Sequence, residues 1–524
     1  MLHSRHRWLL LVPLLAVGAL AATGGYALRL NSSAYRGALE RDLAKFLRLP
    51  CEIGSIRPLT FSSRAFHDVT IWLADRRAKV FSCNRAVWHE HRGSPDELDV
   101  YDGTLAVATD QWRRDDYSRV LESGLSHDPQ SMDLSVVRLH DFAVRLAHRD
   151  LHLTFARADG AVTFESGSGT ARLTASEING HATAAPIEVA ARFDPRARAP
   201  VQSVELRLPD VALADAGLDG LFGGRPPRGR FAGTVQWSGP AGRSNVVISG
   251  TLRDAALTEL SASLGSGPLH GELDVTVERA HLVDRVLVEL AGPGELRALQ
   301  LADVGRLIGR PDLAGVANLH VNGLDAAAGR LRSLAFDGAI DDVPIEALTA
   351  PLGSGQATGR LRGRVRAWHV RDDVIQWGDA QIDALPPPGR SAGTVDRELL
   401  LSGLARVLPV QLPAALGRSF LPSKIEYVRF GVRLRVTDNR LSLLGTHGSN
   451  GDTILTIHAL GRDWAIVRSL PFEIDLTPHL ARLRAALNQR PPRPVPQWWR
   501  PAPGPAASPR PAPAGQAPLP PPAR

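Results

Sequence analysis

The sequence has little cysteine and little net charge. Cys51 and Cys83 are the two cysteines in 524 residues. They are too few for a disulfide scaffold and lack the C-x-x-C spacing of zinc and redox motifs. In an oxidising compartment they could pair, which remains open because sequence does not give the distance between their backbones. The formal charge of +7 excludes the dense basic surface of a nucleic-acid-binding protein, although it favours contact with anionic headgroups or polymers.

The common catalytic motifs are also missing. The chain has no G-x-S-x-G, no G-x-x-x-x-G-K, no H-E-x-x-H and no G-x-G-x-x-G that opens a predicted helix. His89–His91 could place two imidazoles on one face of a strand, but without a third ligand a strand end is the favoured interpretation. His140–Asp141 and His148–Asp150 are neighbours on predicted strands, so adjacent side chains point to opposite faces. We therefore predict no enzyme activity, no cofactor and no metal.

One long uncharged segment, Trp8–Leu28, lies near the N-terminus. As a helix at ~1.5 Å per residue it is about 31 Å long, which is enough to cross a bilayer core. Arg5 and Arg7 precede it and predict a cytoplasmic N-terminus with an exported remainder. The competing interpretation is a cleaved signal peptide with its A-x-A site at Ala19–Ala21. We favour a retained anchor because an amphipathic helix is predicted shortly after it.

That amphipathic helix is predicted over Ala34–Leu47, after the N-cap residues Asn31–Ser33. Leu39 and Leu43 lie on its apolar side, which we expect to pack on the first sheet, with a position on the membrane surface as the alternative. After Pro50 the hydrophobic period becomes two, which is typical of strands with one apolar and one wet face.

The sequence predicts many short strands separated by turns, because 48 glycines and 39 prolines lie between the apolar runs. About 440 residues at roughly 16–18 per strand and turn give ~25 strands. A sheet of this size forms either an open groove or a sandwich with a filled core, and the pattern does not separate the two. The candidate lining of a groove is Val69, Ile71, Leu73, Leu273, Val275, Val277, Leu361, Val365, Phe430, Val432, Leu434 and Val436.

Three short helical stretches are predicted to interrupt the strands, at Leu213–Phe222, Gln300–Ile308 and Arg397–Leu416. An internal repeat is also visible. The stretch from Leu264 aligns without gaps to the stretch from Leu352, at an offset of 88 residues. Repeated strand units predict an extended array in which no unit can bury its apolar face alone.

A ladder of arginines lies on one predicted strand. Arg360, Arg362, Arg364 and Arg366 alternate with small or apolar residues and therefore share one face. They form a candidate basic face for anionic headgroups or an acidic partner. The favoured interpretation is a solvated outer face that discourages aggregation between sheets.

The order of these parts resembles the AsmA family of envelope proteins. The resemblance rests on the N-terminal segment, the amphipathic helix, Leu49–Gly54, Phe66–Trp72 and the Gly-x-Leu-x-Gly-x-Val pattern at Gly359–Val365. It covers most of residues 8–485, although its motifs are degenerate. The family implies a chorein-like N-terminus and a long curved β-sheet with an apolar groove. Members are associated with outer-membrane biogenesis and with phospholipid movement across the periplasm.

The expected fold is therefore mainly β, with a transmembrane helix and an amphipathic helix before an elongated, curved, repeat-like antiparallel sheet with a few short helices. Its expected segments are an anchor at 1–30, a chorein-like β region at 31–200, repeated β units at 201–395, a helix and β region at 396–490, and a disordered Pro-rich tail at 491–524.

The expected function is that of a single-pass inner-membrane protein with a periplasmic ectodomain that binds or guides phospholipid acyl chains. Envelope proteins are possible partners, and nucleic acid is not expected. The alternative is a periplasmic β-repeat scaffold that carries no lipid.

Overall fold

The computed structural model describes residues 29 and 32–481, with gaps at 48, 61, 74, 109–133, 149–150, 166–167, 195–200, 217–227, 240–244, 264–267, 284–285, 311, 328–329, 350–354, 373, 388–391, 404–420, 470–471 and 479. The predicted anchor segment Trp8–Leu28 and the Pro-rich tail lie outside the described residues. Within the described part, no helix is both long and apolar enough to cross a membrane.

The N-terminal half begins with helix α1, Ser33–Leu47, and continues as strands. The strands are β1 Cys51–Glu52, β2 Ser55–Pro58, β3 Ser63–Trp72, β4 Lys79–His89, β5 Asp96–Ala108, β6 Leu134–His148, β7 Leu151–Glu165, β8 Ser168–Ile178, β9 His181–Phe193, β10 Val201–Ala212, β11 Arg230–Ser238 and β12 Asn245–Ala256.

Among the described residues, the C-terminal half adds three short helices and a π-helical turn between strands. The helices are α2 Leu257–Ser263, α3 Leu301–Ile308 and α4 Ile345–Thr349, and the turn is Leu399–Gly403. The strands are β13 Glu272–Val283, β14 Val286–Gln300, β15 Val316–Ala327, β16 Arg330–Pro344, β17 Ala357–Thr358, β18 Arg360–Arg371, β19 Val374–Leu385, β20 Gly393–Asp396, β21 Lys424–Thr437, β22 Arg440–Gly445, β23 Thr453–Ala459, β24 Arg462–Arg468 and β25 Ile474–Asp475.

The strands form one long open sheet in which chain neighbours are usually sheet neighbours. From β3 to β16 each strand pairs with the next, and the order then continues through β18, β19, β21 and β22. The prediction of a mainly β, antiparallel sheet with few helices is confirmed. One pair departs from it, because β5 and β6 run parallel and are joined by residues 109–133.

A small second sheet branches from β21. The N-terminal half of β21 pairs with β20 and β23, whereas its C-terminal half pairs with β19 and β22 of the long sheet. The second sheet also contains β17 and β24. One strand therefore holds the two sheets together.

The middle of the long sheet is built from a unit of 44 residues. Leu213, Leu257, Leu301 and Ile345 follow one another at this spacing, and each begins the connection that leaves the end of a long strand. In each connection the amide of this residue donates to the carbonyl of the glycine before the next long strand. The 88-residue offset in the sequence is thus two units, which is why β13 aligns with β18.

Bulges recur in the same unit. The register of the sheet shifts next to Gly250, Gly292 and Gly338, which all have a positive φ near 150°. A side chain there would collide with the neighbouring strand, since a Cβ on Gly292 would lie 2.0 Å from the carbonyl oxygen of Thr276. Bulges increase the local twist, so each unit bends the sheet at the same place.

The helix predictions had mixed outcomes. The helix at Gln300–Ile308 is confirmed as α3, with Gln300 at its N-cap. The prediction at Leu213–Phe222 is wrong where it can be checked, because the chain there forms turns up to Ala216 and is undescribed beyond it. Of the stretch Arg397–Leu416, the described part is helical and ends in the π-helical turn. The sequence did not predict α2 and α4, which have seven and five residues.

Candidate functional site

One side of the long sheet is apolar from end to end. The strand register places Val246 beside Trp237 and Leu282, and Val321 beside Gly294 and Phe336. The same rows continue to the N-terminal strands, where Val69 lies opposite Cys83. This continuity follows from the period of two, because every strand presents its apolar residues to the same side.

The N-terminal strands bury their part of this side. A cluster of packed side chains, here called the N-terminal cluster, extends over β4–β10; its buried members are Cys83, Ala86, Val100, Leu139, Phe142, Phe155, Ala158, Ala175, Ile178, Ile187, Val211 and Ala216. Beside it, helix α1 packs Tyr35, Leu39 and Leu43 against Ile53 and Ile56. The predicted packing of the amphipathic helix on the first sheet is therefore confirmed.

Helix α1 also occupies the free edge of the sheet. The carboxylate of Glu40 accepts a hydrogen bond of 2.8 Å from the amide of Ile53, and the guanidinium of Arg36 donates to the carbonyl oxygen of Gly54 over 2.5 Å. Edge strands with unpaired backbone groups invite pairing with another chain. These two side chains block that pairing at the first strands.

The C-terminal strands bury their part under the second sheet. The C-terminal cluster joins residues of the long sheet to residues of β20, β21, β23 and β24; its buried members are Val343, Ile345, Ala357, Leu361, Val395, Leu399, Leu400, Leu421, Ile425, Tyr427, Val432, Leu443, Ile454, Leu455, Ile457, Ala459, Ile466 and Val467. At this end the sheet forms a filled core.

Between the two clusters the residues that the structure describes leave the apolar side only half-buried. We call the following half-buried side chains of β11–β16 the open face: Phe231, Val235, Trp237, Val246, Ile248, Leu252, Leu273, Val275, Val277, Leu282, Leu290, Leu296, Leu319, Val321, Leu324, Leu334 and Phe336. None belongs to a buried cluster of the described residues. Six strands at ~4.8 Å make this face about 29 Å long.

The predicted groove lining is divided among these zones. Leu273, Val275 and Val277 lie on the open face. Val69, Ile71, Phe430 and Leu434 are half-buried and pack against clusters, and Val365 lies just beyond β16. Four residues are core positions rather than candidate groove lining: Leu73, Leu361, Val432 and Val436, with exposed fractions of 0, 7, 9 and 0 %.

Most of the open face was missed from the sequence, including its large aromatic residues Trp237 and Phe336. The signal that could have found it is the 44-residue spacing. Aligning the chain at that spacing superimposes the strands of successive units and shows which apolar positions recur.

The four arginines of the candidate basic face are exposed on the opposite side of the sheet. Arg360 and Arg362 form ion pairs of 3.0 and 2.8 Å with Asp342 and Asp341 of β16. Arg366 donates to Gln381 over 3.4 Å. Carboxylates from the neighbouring strand therefore neutralise half of the ladder, which supports its interpretation as a solvated outer face.

Two other carboxylates hold strands or units together. Asp379 is buried and accepts two hydrogen bonds from the guanidinium of Arg433, which lowers the pKa of its carboxyl. For Asp303, burial acts to raise the pKa, but hydrogen bonds from the amide and imidazole of His270 lower it overall. Asp303 lies in the first turn of α3, so the bond joins that helix to the loop before β13.

His89 and His140 lie on the outer side of the sheet, whereas the His148–Asp150 pair lies outside the side chains that the structure describes. His89 ends β4, as predicted, and its imidazole lies 3.0 Å from the carboxylate of Asp99. His140 stacks on Tyr101 at 4.6 Å between ring centroids. Among the described residues, no group of three or more histidine, cysteine or acidic side chains is placed to bind a metal ion.

The two cysteines are both free and buried. Cys51 is opposite Ile71 and Cys83 is opposite Val69, so β3 lies between them. Two strand spacings separate their backbones by about 9–10 Å, beyond the ~7 Å that a disulfide can bridge. Burial raises the pKa of Cys51 to about 11 and that of Cys83 to about 12.

Comparison with known proteins returned no relative: no protein-family model, no curated protein and no solved structure matches this chain.

Proposed function

We propose that this protein is a membrane-anchored, AsmA-like envelope protein whose open face binds phospholipid acyl chains. In this proposal Trp8–Leu28 is retained in the inner membrane, the ectodomain lies in the periplasm, and the bent sheet forms a groove. The protein acts in cell-envelope biogenesis by holding or guiding lipid between membranes, and it performs no chemistry on that lipid.

The observation that carries the proposal is the half-buried apolar surface of β11–β16. Its length of about 29 Å and its width of about 20 Å give a footprint of roughly 580 Å², at the upper end of the ~300–600 Å² of the largest apolar patch on a typical soluble monomer, and such patches are often functional. Such a surface is unfavourable in water, at roughly 25 cal/mol per Å². Acyl chains would cover it without demanding any specific hydrogen bond, which fits a face built from aliphatic and aromatic side chains.

The two clusters on either side define where the lipid lies. Because the C-terminal cluster buries Leu361 of β18 and Val432 of β21, chains resting on the open face would not continue beneath the second sheet. The protein would thus offer a bounded site of about six strands, with room for the chains of one or two lipids.

The test is native mass spectrometry of the full chain after extraction in a mild detergent. Wild-type protein is expected to retain phospholipid. The double variant Val275→Asp and Val321→Asp introduces two charges on the open face and should lose that lipid, because burying an unpaired carboxylate against acyl chains is unfavourable.

Thr276→Asp is the matched control. Thr276 is next to Val275 but is exposed on the outer side of β13. The lipid content of the Thr276→Asp variant should therefore equal that of the wild type. Wild-type protein that carries no phospholipid would contradict lipid binding and would favour the periplasmic scaffold. Equal lipid retention in the double variant would show that lipid binds elsewhere.

A further inference from the structure

The open face has two different borders. On one border the row Val211, Ala255, Leu299 and Val343, spaced by 44 residues, is almost fully covered, with exposed fractions of 5, 0, 9 and 6 %. These residues end the apolar side where each long strand passes into its connection. The apolar residues near the opposite border on the neighbouring strands, such as Trp237 of β11 and Leu282 of β13, are only half-buried.

The cover on the first border comes from the connections of the repeated unit. A Cβ on Gly229 would lie 3.0 Å from Cα of Ala255, and a Cβ on Gly271 would lie 3.1 Å from Cα of Leu299. Each connection therefore packs on the row residue of the following unit. Leu301 extends this packing, since it lies against the cluster that contains Val343. We call this border the closed rim.

The opposite border consists of hairpins, of which β13–β14 and β15–β16 are tight. Val283 pairs with Val286, and Ala327 pairs with Arg330, so only two residues link the strands in each case. A link of two residues is too short to extend over the apolar side and cover it. We call this border the hairpin rim, and at this rim the apolar side meets solvent.

We propose that a phospholipid lies across the open face with the ends of its acyl chains against the closed rim and its headgroup toward the hairpin rim. This inference rests on the proposed function and assigns an orientation to the ligand. A charged headgroup at the closed rim would lose its hydration among packed apolar side chains, whereas the chain ends lose nothing there. At the hairpin rim water remains available to the phosphate.

The dimensions agree with this orientation. Phe231 is the apolar residue of β11 next to the closed rim, and Trp237 is the one next to the hairpin rim. Six residue steps at ~3.3 Å separate them by about 20 Å. One lipid leaflet, headgroup included, is about 20–22 Å thick. A single phospholipid therefore reaches from one rim to the other.

The orientation can be tested on the full wild-type chain with two photoreactive phosphatidylethanolamines. One carries a diazirine at the end of an acyl chain, and the other carries it on the headgroup. After irradiation, the labelled positions are located by peptide mass spectrometry. We expect the chain-end probe to favour Leu252 and Leu296 over Trp237 and Leu282 by about tenfold, and the headgroup probe to show the reverse preference.

Opposite preferences, or equal labelling of both rims by both probes, would overturn the orientation while leaving lipid binding intact. If neither probe labels the open face, the proposed function itself fails. The outer-side residue Thr276 gives the background, because labelling there reports contact of the probe with the solvated side of the sheet.

Discussion

The hydroxyl of Tyr427 donates a hydrogen bond of 2.9 Å to the carbonyl oxygen of Thr358 and so joins β21 to β17. The ring of Tyr427 is almost fully buried and fills the space left by two glycines. A Cβ on Gly393 would lie 2.2 Å from the ring, and a Cβ on Gly359 would lie 2.1 Å from the hydroxyl oxygen. Burial raises the pKa of Tyr427 to about 12. This side chain therefore ties together strands of the second sheet within the C-terminal cluster.

Truncation of Tyr427 should therefore loosen the C-terminal cluster. Tyr427→Phe removes one hydrogen bond and should cost about 1 kcal/mol. Tyr427→Ala leaves a cavity and should cost about 3–5 kcal/mol. Hydrogen exchange of the amides in β23 measures the change locally, which avoids treating a long chain as two-state. Tyr101→Phe, on the outer side, is the control, and an equal effect from it would contradict this role for Tyr427.

The connections of the 44-residue unit should be intolerant of side chains at their glycines. Gly315 has φ +117°, and a Cβ on it would lie 2.7 Å from the carbonyl oxygen of Asp341. Gly315→Ala should therefore lower the free energy of unfolding by about 1–3 kcal/mol. A Cβ on Gly323 in β15 would meet no atom of the described residues within 4 Å, so Gly323→Ala should be neutral or slightly stabilising. Comparable urea midpoints for the two variants would refute the collision argument.

The pair of Asp379 and Arg433 predicts a pH-dependent contribution to stability. The hydrogen bonds from Arg433 lower the pKa of the Asp379 carboxyl in the folded protein. The stabilisation is therefore fully present above the unfolded value of ~3.9 and is lost as the pH falls through the lower folded value. At neutral pH, Asp379→Asn should cost about 1.5–3 kcal/mol.

Unfolding of wild type and Asp379→Asn by urea at a series of pH values checks this sign. The difference between them should be constant near neutrality and should shrink below about pH 4. A difference that persists unchanged into acid would mean that the ion pair is not its source.

The cysteines should be unreactive in the folded chain. At pH 8 the raised pKa values leave about a hundredfold less thiolate at Cys51, and about a thousandfold less at Cys83, than an ordinary cysteine has, and burial excludes the reagent. Iodoacetamide should modify neither Cys51 nor Cys83 until urea unfolds the protein. Mass spectrometry of the intact chain detects the mass added by each modification. Rapid modification without urea, or a species with an internal disulfide, would contradict the strand placement of the two residues.

The sequence predicted those parts of the fold that depend on local pattern. Alternation of apolar and polar residues identified one-sided strands such as that of Leu273–Val277, and the number of strands followed from chain length and turn spacing. The apolar side of α1 was predicted to pack on the sheet because its leucines recur at helical spacing, and it does. These features arise within a few neighbouring residues, where sequence spacing and spatial position are closely related.

What covers the apolar side was not predictable in the same way. Leu361 and Val275 have the same alternating surroundings, yet only Leu361 is buried, because Ile457 and Ile466, about 100 residues away, belong to the cluster above it. Likewise, nothing in the alternation of β5 and β6 indicates that the two run parallel. Cover and strand direction depend on contacts between distant segments, and a local pattern does not encode them.

The 44-residue unit contains both a pair of strands and the connection that covers the closed rim. Adding or removing one unit, for example residues 286–329, would change the length of the open face by two strands, or about 10 Å, and would change its border by the same amount. The site therefore has no intermediate lengths: it can grow or shrink only in whole steps. Each duplicated unit would increase the ligand capacity by a fixed amount. One further copy would lengthen the face by about 10 Å, which is half the thickness of a bilayer leaflet.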